Sequence, residues 1–390
     1  MLMLFPVTLL IAAGLPTEAE LQTLLATTSA SNGLIGMEAS VVLPSGTVLT
    51  ANAGVACASP VCFPPKAVTQ SSTFCFGSAT KMLTAISILH KVDQKVITLD
   101  DLALPLMEDF LRRGFYNVSL PARLGPEIAQ TTIRHLMSMR SGVPDYDNPA
   151  SRSWQLEHPH TDMDPALILN KFVKPGFTCP PGTCGEYSTT NYVLLGLVLA
   201  ALNNATRWED LDQIAILPPA AAPLLSLSHF PTHGPCSKVA GMVHGITFNG
   251  LVPVDTWGVS CTNGWTGGNW AGRTRDAAQV AHALWAGGAG GTGTLVSAEL
   301  ADQMRRFEPL DTGSFKVPYG LGAMDLGSQL GGVFTRPEGA FYGHGGETFG
   351  FTGYMGFVPK VNASLAVFAN AEDVLATSEA AAGVLTFMGV

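Results

Sequence analysis

Strand-forming runs sit at the two ends of this 390-residue chain, and what lies between them reads mostly as helix. Near the N-terminus, MEASVVLPSGTVLTANAGV reads as a hairpin, two β-rich runs joined through Pro44-Ser45-Gly46. Near the C-terminus, GYMGFVPK and ASLAVFAN read as neighbouring strands turning over Pro359–Asn362, followed by a last helix in 374–388. Between about 100 and 300 come IRHLMSM, YVLLGLVLAAL and DAAQVAHALWAGG, helical runs divided by Pro- and Gly-rich loops. A strand leaves its backbone unsatisfied until it pairs, so the two ends are expected to meet in one antiparallel sheet. The fold class that follows is α+β: a sheet unit over about 20–100 and 300–390, and a mostly helical unit over about 100–300. A site is expected in the cleft between them.

Hydrophobic residues make up 47% of the chain and charged residues 13%, enough apolar surface for a large core. The net charge of −9 excludes the basic face that a nucleic-acid partner requires. The leader MLMLFPVTLLIAAGLPTEAE has an apolar stretch too short to span a bilayer, and residues 1–19 read as a secretory signal peptide. No Lys or Arg precedes that stretch, which leaves an uncleaved anchor or a buried first helix as alternatives. The mature chain is expected to hold no stable membrane span.

Three sequons, at Asn117, Asn204 and Asn362, have meaning only in a secretory lumen. Seven cysteines allow three bridges and one free thiol. The close pairs Cys57/Cys62 and Cys179/Cys184 suit short closed loops and leave Cys236 with Cys261, although spacing alone does not fix connectivity. Cys75, in an apolar run, is then the buried thiol.

The run FCFGSATKMLTAISILHK, residues 74–91, poses the chemical question. Met82, Ala85, Ile86 and Leu89 fall at helical spacing and predict a buried stripe. Ser78 opens that helix and Lys81 follows three residues later, on the same face. A serine hydroxyl is a poor nucleophile until a base takes its proton, and a buried lysine can be neutral enough to do so. The other reading is a helix-capping serine followed by a solvated lysine.

Company in order decides between them. FGSATKMLTA, VITLDDLALPLM, TIRHLMSMRSGVPDY, GEYSTTNYVLLGLVL and GHGGETFGFTGYMGFVP resemble successive segments of the serine β-lactamase and penicillin-binding-protein family, in its class C-like branch of esterases and D-amino-acid peptidases. GGNWAGRTRDAAQVAHALWAGG and VPYGLGAMDL match later segments more loosely, and the resemblance runs from about residue 35 to 385. It implies a β-lactamase/transpeptidase-like α/β sandwich. It also implies Ser78 as acylated nucleophile, Lys81 as its proton partner, and Tyr187 as base and relay. His344 would lie on the strand lining the cleft, and the backbone N–H groups of Ser78 and Glu347 would form the oxyanion hole. Tyr187 could act as a base only if Lys81 and His344 favour its anion. The resemblance implies a small ester, amide or peptide substrate and no metal or organic cofactor.

Five positions depart from the family pattern. Thr189 stands where the family has an asparagine, which weakens recognition of a substrate amide. Gly345 and Gly346 remove a hydroxyl that helps to hold a substrate carboxylate, and His344 replaces a fixed cation. Glu347 adds a carboxylate that repels anions. Neutral esters or amides are therefore expected to be better substrates than penicillins. The alternative is a weak or inactive relative that serves as a binding or structural protein.

Two patterns elsewhere are decoys. His158-Pro159-His160-Thr161-Asp162 imitates a metal-ligand string but lacks the preceding strand and the final histidine. Gly288–Gly293 imitates a nucleotide loop but follows a helix, and no G-x-S-x-G elbow is present.

Overall fold

A computed structural model describes all residues except 1–13, 34, 59–60, 251, 287–294, 312, 314–315, 328–329, 331–335 and 373. Its centre is an eight-stranded antiparallel sheet drawn from both ends of the chain. The strands are β1 (Met37–Val42), β2 (Val48–Ala53), β3 (Glu308–Asp311), β4 (Lys316–Tyr319), β5 (Met324–Asp325), β6 (Tyr342–Thr348), β7 (Phe351–Val358) and β8 (Ala363–Ala369). Their order across the sheet is β2-β1-β8-β7-β6-β5-β4-β3. The N-terminal hairpin thus lies beside the last strand, with Met37 opposite Ala369 and Val42 opposite Ser364.

β1, β7 and β8 are buried along their whole length, because helices cover both faces. On one side Glu18–Ser31 packs against Val374–Phe387, and on the other Thr274–Trp285 crosses β1, β7 and β8. Polar groups pin that last helix. The buried carboxylate of Glu38 on β1 accepts from the Thr274 backbone N–H (3.0 Å) and hydroxyl (2.8 Å), and Ser40 Oγ lies 2.9 Å from the same hydroxyl. A carboxylate at a helix N-terminus meets free N–H groups and favourable partial charge.

The middle of the chain supplies the helical part and a two-stranded hairpin, Ile246–Asn249 with Val252–Asp255. Its central helix, Thr190–Leu202, is buried on nearly every side, as its apolar sequence requires. Thr80–Asp93 differs from the expected amphipathic helix. Every residue from Thr80 to Leu89 is buried, because this helix lies between the sheet and Thr190–Leu202.

Cys57–Cys62, Cys179–Cys184 and Cys236–Cys261 are bonded, and Cys75 is free and buried. Most of the leader segment, and the whole Gly288–Gly293 pattern, fall outside the described residues. Among the described residues no helix is long and apolar enough to cross a membrane. His158 stacks on Trp154, and Asp162 accepts from the Gly234 N–H and the Ser260 hydroxyl, so that string is taken up in local structure.

Candidate active site

Two backbone segments approach each other at the seam between sheet and helices. Phe74–Cys75 pairs with Ala271–Gly272, and Phe76 donates its N–H to Trp270 O at 2.8 Å. The chain then turns through Gly77–Ala79 into the helix Thr80–Asp93, presenting Ser78. Thr80 locks the turn by donating to Gly77 O (2.6 Å) and accepting from Trp270 N–H (3.0 Å). Opposite runs β6, which pairs with β5 only at Tyr342 and Gly343. No strand among the described residues therefore covers that side of its later residues.

The approach requires glycine on both sides. Gly77 has φ +49, and a Cβ there would stand 2.4 Å from Glu347 O. A Cβ on Gly346 would stand 2.0 Å from Phe76 O. The glycine that the sequence suggested as a lost hydroxyl is thus first a steric necessity. It brings the backbone of Glu347 against the nucleophile turn, where two N–H groups can serve one oxyanion.

Lys81 is fully buried; its Nζ donates to Ser78 Oγ at 2.7 Å and to Gly267 O at 2.9 Å. Burial lowers its pKa to about 7, against the opposing pull of Asp145 and Asp147. Tyr187 reaches the same point from the far wall. Its N–H donates to Asp311 O at 2.8 Å, which holds the segment against edge strand β3, and Lys81 Nζ lies 5.2 Å from the centre of its ring. The Ser78 hydroxyl is near enough to that of Tyr187 to act on its ionisation.

The condition set for a tyrosine base is not met. Burial raises Tyr187 well above the ordinary tyrosine range, the Ser78 hydroxyl works the other way, and Asp145 and Asp147 oppose its ionisation further. His344 offers no cation either. Burial and then the charge of Lys81 lower its pKa to about 3, so it is neutral. Its Nδ1 faces the Gly345 carbonyl at 2.5 Å and must carry the proton, which leaves Nε2 to accept from the Tyr319 hydroxyl at 3.1 Å. The side chain is fully buried and does not line the cavity. His344 and Tyr319 stand behind Tyr187, with ring centres 6.3 and 6.1 Å from it. His344 thus lies on the strand whose next residues, Gly345, Gly346 and Glu347, line the cavity, and its own side chain sits where a supporting group would.

In front of these residues opens a cavity of about 850 Å³. Ser78, Tyr187, Thr189, Gly345, Gly346 and Glu347 line it. The Thr189 methyl faces Gly267, where a Cβ would come within 2.8 Å, so the methyl fills wall space.

The charged residues of the loop before helix Pro149–Glu157 escaped the sequence reading. Asp145 Oδ1 accepts from the N–H groups of Thr189 (3.0 Å) and Asp147 (3.1 Å), tying this loop to the segment after Tyr187. Burial and Asp147 raise the Asp145 carboxyl. Asp147 and Arg152 line the cavity. Asp145 falls in the segment TIRHLMSMRSGVPDY, which assigns it no role, and Asp147 and Arg152 lie just beyond it.

With this geometry established, the chain can be compared with known proteins. The sequence profile of the Beta-lactamase family matches residues 21–385. The "Penicillin-binding protein 4" of Amycolatopsis lactamdurans is 28% identical over 145 residues, which is 37% of this chain, and the match spans 33% of that protein's length. A D-stereospecific amidohydrolase from Streptomyces sp. superposes with a TM-score of 0.70 at 21% identity, covering 94% of this chain and 98% of its own. The D-amino acid amidase from Ochrobactrum anthropi SV3, complexed with D-phenylalanine, gives 0.70 at 20% identity over 95% and 98%. The octameric penicillin-binding protein homologue from Pyrococcus abyssi gives 0.65 at 20% over 94% and 77%. At such identities the three structures show a shared fold.

Proposed function

The chain belongs to the β-lactamase family, and from that premise we propose that it is a serine hydrolase that works through an acyl-enzyme on Ser78, on neutral esters or amides in preference to penicillins. The observation that carries this reading is a fully buried Lys81 ammonium site 2.7 Å from the Ser78 hydroxyl. Neutral Lys81 takes the hydroxyl proton as Oγ attacks the substrate carbonyl, and the N–H groups of Ser78 and Glu347 receive the oxyanion. Tyr187, protonated throughout, relays the proton to the leaving group; water then attacks the acyl-enzyme with Lys81 again as base. His344 holds Tyr187 in place through Tyr319. The amidases of like fold make amino acid amides the first amides to try. Asn117 and Asn204 are exposed, where a glycan would be accommodated, and with the three bridges this supports a secretory lumen or the extracellular space.

The test is intact-mass measurement after treatment with a fluorophosphonate between pH 6 and 9, with Ser78→Ala as control. A stoichiometric adduct that the variant loses is expected. No adduct at any of these pH values would leave a binding protein on a hydrolase fold. Penicillin turnover faster than that of a short-chain aryl ester would overturn the substrate preference.

A further inference from the structure

Among the described residues, three charged side chains line the cavity: Asp147, Arg152 and Glu347. The one cation among them is engaged. Arg152 pairs with the Glu372 carboxylate, donates to the Thr247 hydroxyl at 2.8 Å and lies 4.8 Å from the centre of the Phe349 ring. Glu372 in turn accepts from Thr247 (2.8 Å) and from the Gly350 N–H (2.9 Å). The carboxylates of Asp147 and Glu347 are different: among the described residues neither accepts a hydrogen bond nor forms an ion pair. They sense one another: burial and Glu372 raise the pKa of Glu347, Arg152 works against them, and Asp147 adds a smaller rise. Asp147 is exposed to the cavity; the partial loss of water around its carboxyl raises its pKa, with Lys81 and then Arg152 acting the other way.

A second observation at the same wall is independent of these charges. Thr352 stands opposite Glu347 in the β6–β7 pairing and lines the cavity. It is 4% exposed, and its Oγ1 is buried without a hydrogen-bond partner. A buried hydroxyl left so is unfavourable in a folded protein. Two carboxylates open to one cavity, beside a buried hydroxyl without a partner, suit a ligand group rich in N–H donors and positive charge. An ammonium provides three N–H donors and the charge, whereas a carboxylate adds like charge and no donor.

Resting on the hydrolase reading, we propose that the substrate carries an ammonium group, held between Asp147 and Glu347 with the Thr352 hydroxyl as a further acceptor, while its carbonyl meets Ser78. Substrates of this class are amides or esters of compounds with a free amine, such as unblocked amino acid amides. Glu347 then plays two parts through separate atoms, its backbone N–H toward the oxyanion and its carboxylate toward the ammonium.

The experiment compares three anilides with one leaving group: alanine p-nitroanilide, its N-acetyl derivative and its N-succinyl derivative, each in D and L forms. The expected order of kcat/KM is ammonium over acetyl over succinyl, with the first step on the order of tenfold. Glu347→Gln and Asp147→Asn are each expected to compress the ammonium-to-acetyl ratio toward one, a ratio in which any general loss cancels. The same order is read without turnover by protecting Ser78 from the fluorophosphonate with benzylammonium, benzyl alcohol and benzoate. Acetyl or succinyl substrates turned over as well as the free amine, or a ratio untouched by both variants, would overturn the proposal while an adduct at Ser78 left the hydrolase standing. Failure of the adduct itself would remove both.

Discussion

At the residue scale, the catalytic question turns on which group is the base. Desolvation acts oppositely on the two candidates. It penalises the ionised form of each, so it makes Lys81 a neutral base and keeps Tyr187 a neutral acid. The sign for activity follows. Lys81 accepts a proton only when neutral, so acylation rises with pH through about 7 and levels above it, falling about tenfold per unit below. Asp147 favours the charged lysine, so Asp147→Asn moves this limb to lower pH. The rate of fluorophosphonate inactivation from pH 5 to 10 checks both, and a rate still climbing at pH 10 would assign the proton to an ordinary lysine or to a tyrosinate. Lys81→Met is expected to slow acylation by about 10²–10⁴-fold. Ser78, Lys81 and Tyr187 were legible because they stand in a fixed order on recognisable segments. Asp147 and Thr352 were not, because what marks them is the lack of a partner, a property of the folded cavity. His344 was legible as a position on the strand that lines the cleft, but not as a buried side chain, because its glycine-rich surroundings give no alternation to show which way it faces.

At the element scale, the docking of helix Thr274–Trp285 on β1 carries a buried acid. Glu38 is 1% exposed, and only one of its oxygens is engaged, the other having no partner. Burial raises its pKa to about 7, partly offset by the bonds from Thr274. Its pKa is higher folded than unfolded, so the stability it contributes is full below about 4.5 and is lost as pH rises through 7. Glu38→Gln keeps an acceptor for Thr274 and removes the charge. Between pH 5 and 8.5 the unfolding free energy should therefore shift in favour of the variant by about 2–3 kcal/mol. Urea unfolding of both proteins at the two pH values measures it, and a constant difference would mean that Glu38 is ionised without penalty. The hairpin and the last two strands were readable because β-branched and aromatic residues crowd them. β4 and β6 were harder, since Pro318 interrupts one and Gly343, Gly345 and Gly346 weaken the other. Gly346 is there for the approach to the nucleophile turn, so one of the residues that hide the strand also builds the site.

At the scale of the whole molecule, pairing the two ends of the chain is what brings the site together. β6 belongs to the C-terminal segment and the nucleophile turn to the N-terminal one, and they touch because β1 lies beside β8. That much followed from where the strand-rich runs lie. The depth of Thr80–Asp93 did not, because spacing reveals one buried face, and only the packed molecule shows that both faces are covered.

Tyr187 comes from a third segment, and its placement depends on a loop with little core of its own. Cys179 and Cys184 close that loop, which docks through Thr178 N–H to Gly142 O (2.8 Å) and Gly182 N–H to Arg140 O (2.7 Å). The fit at Gly142 is tight: its φ is +79, and a Cβ would stand 2.0 Å from Cys179 O. Three residues beyond the bridge, Tyr187 hangs on the edge of β3. Replacing both cysteines by serine frees the loop in the unfolded chain, a loss of about 2 kcal/mol of stability for so short a closure. The tyrosine acts on the proton in flight, so looser placement should lower kcat several-fold and change KM little. Unfolding and steady-state kinetics on the double variant separate the two effects. Unchanged values in both would mean that the backbone bonds to Asp311 and Gly142 suffice to hold Tyr187. A stability loss with kcat intact would confine the bridge to the fold.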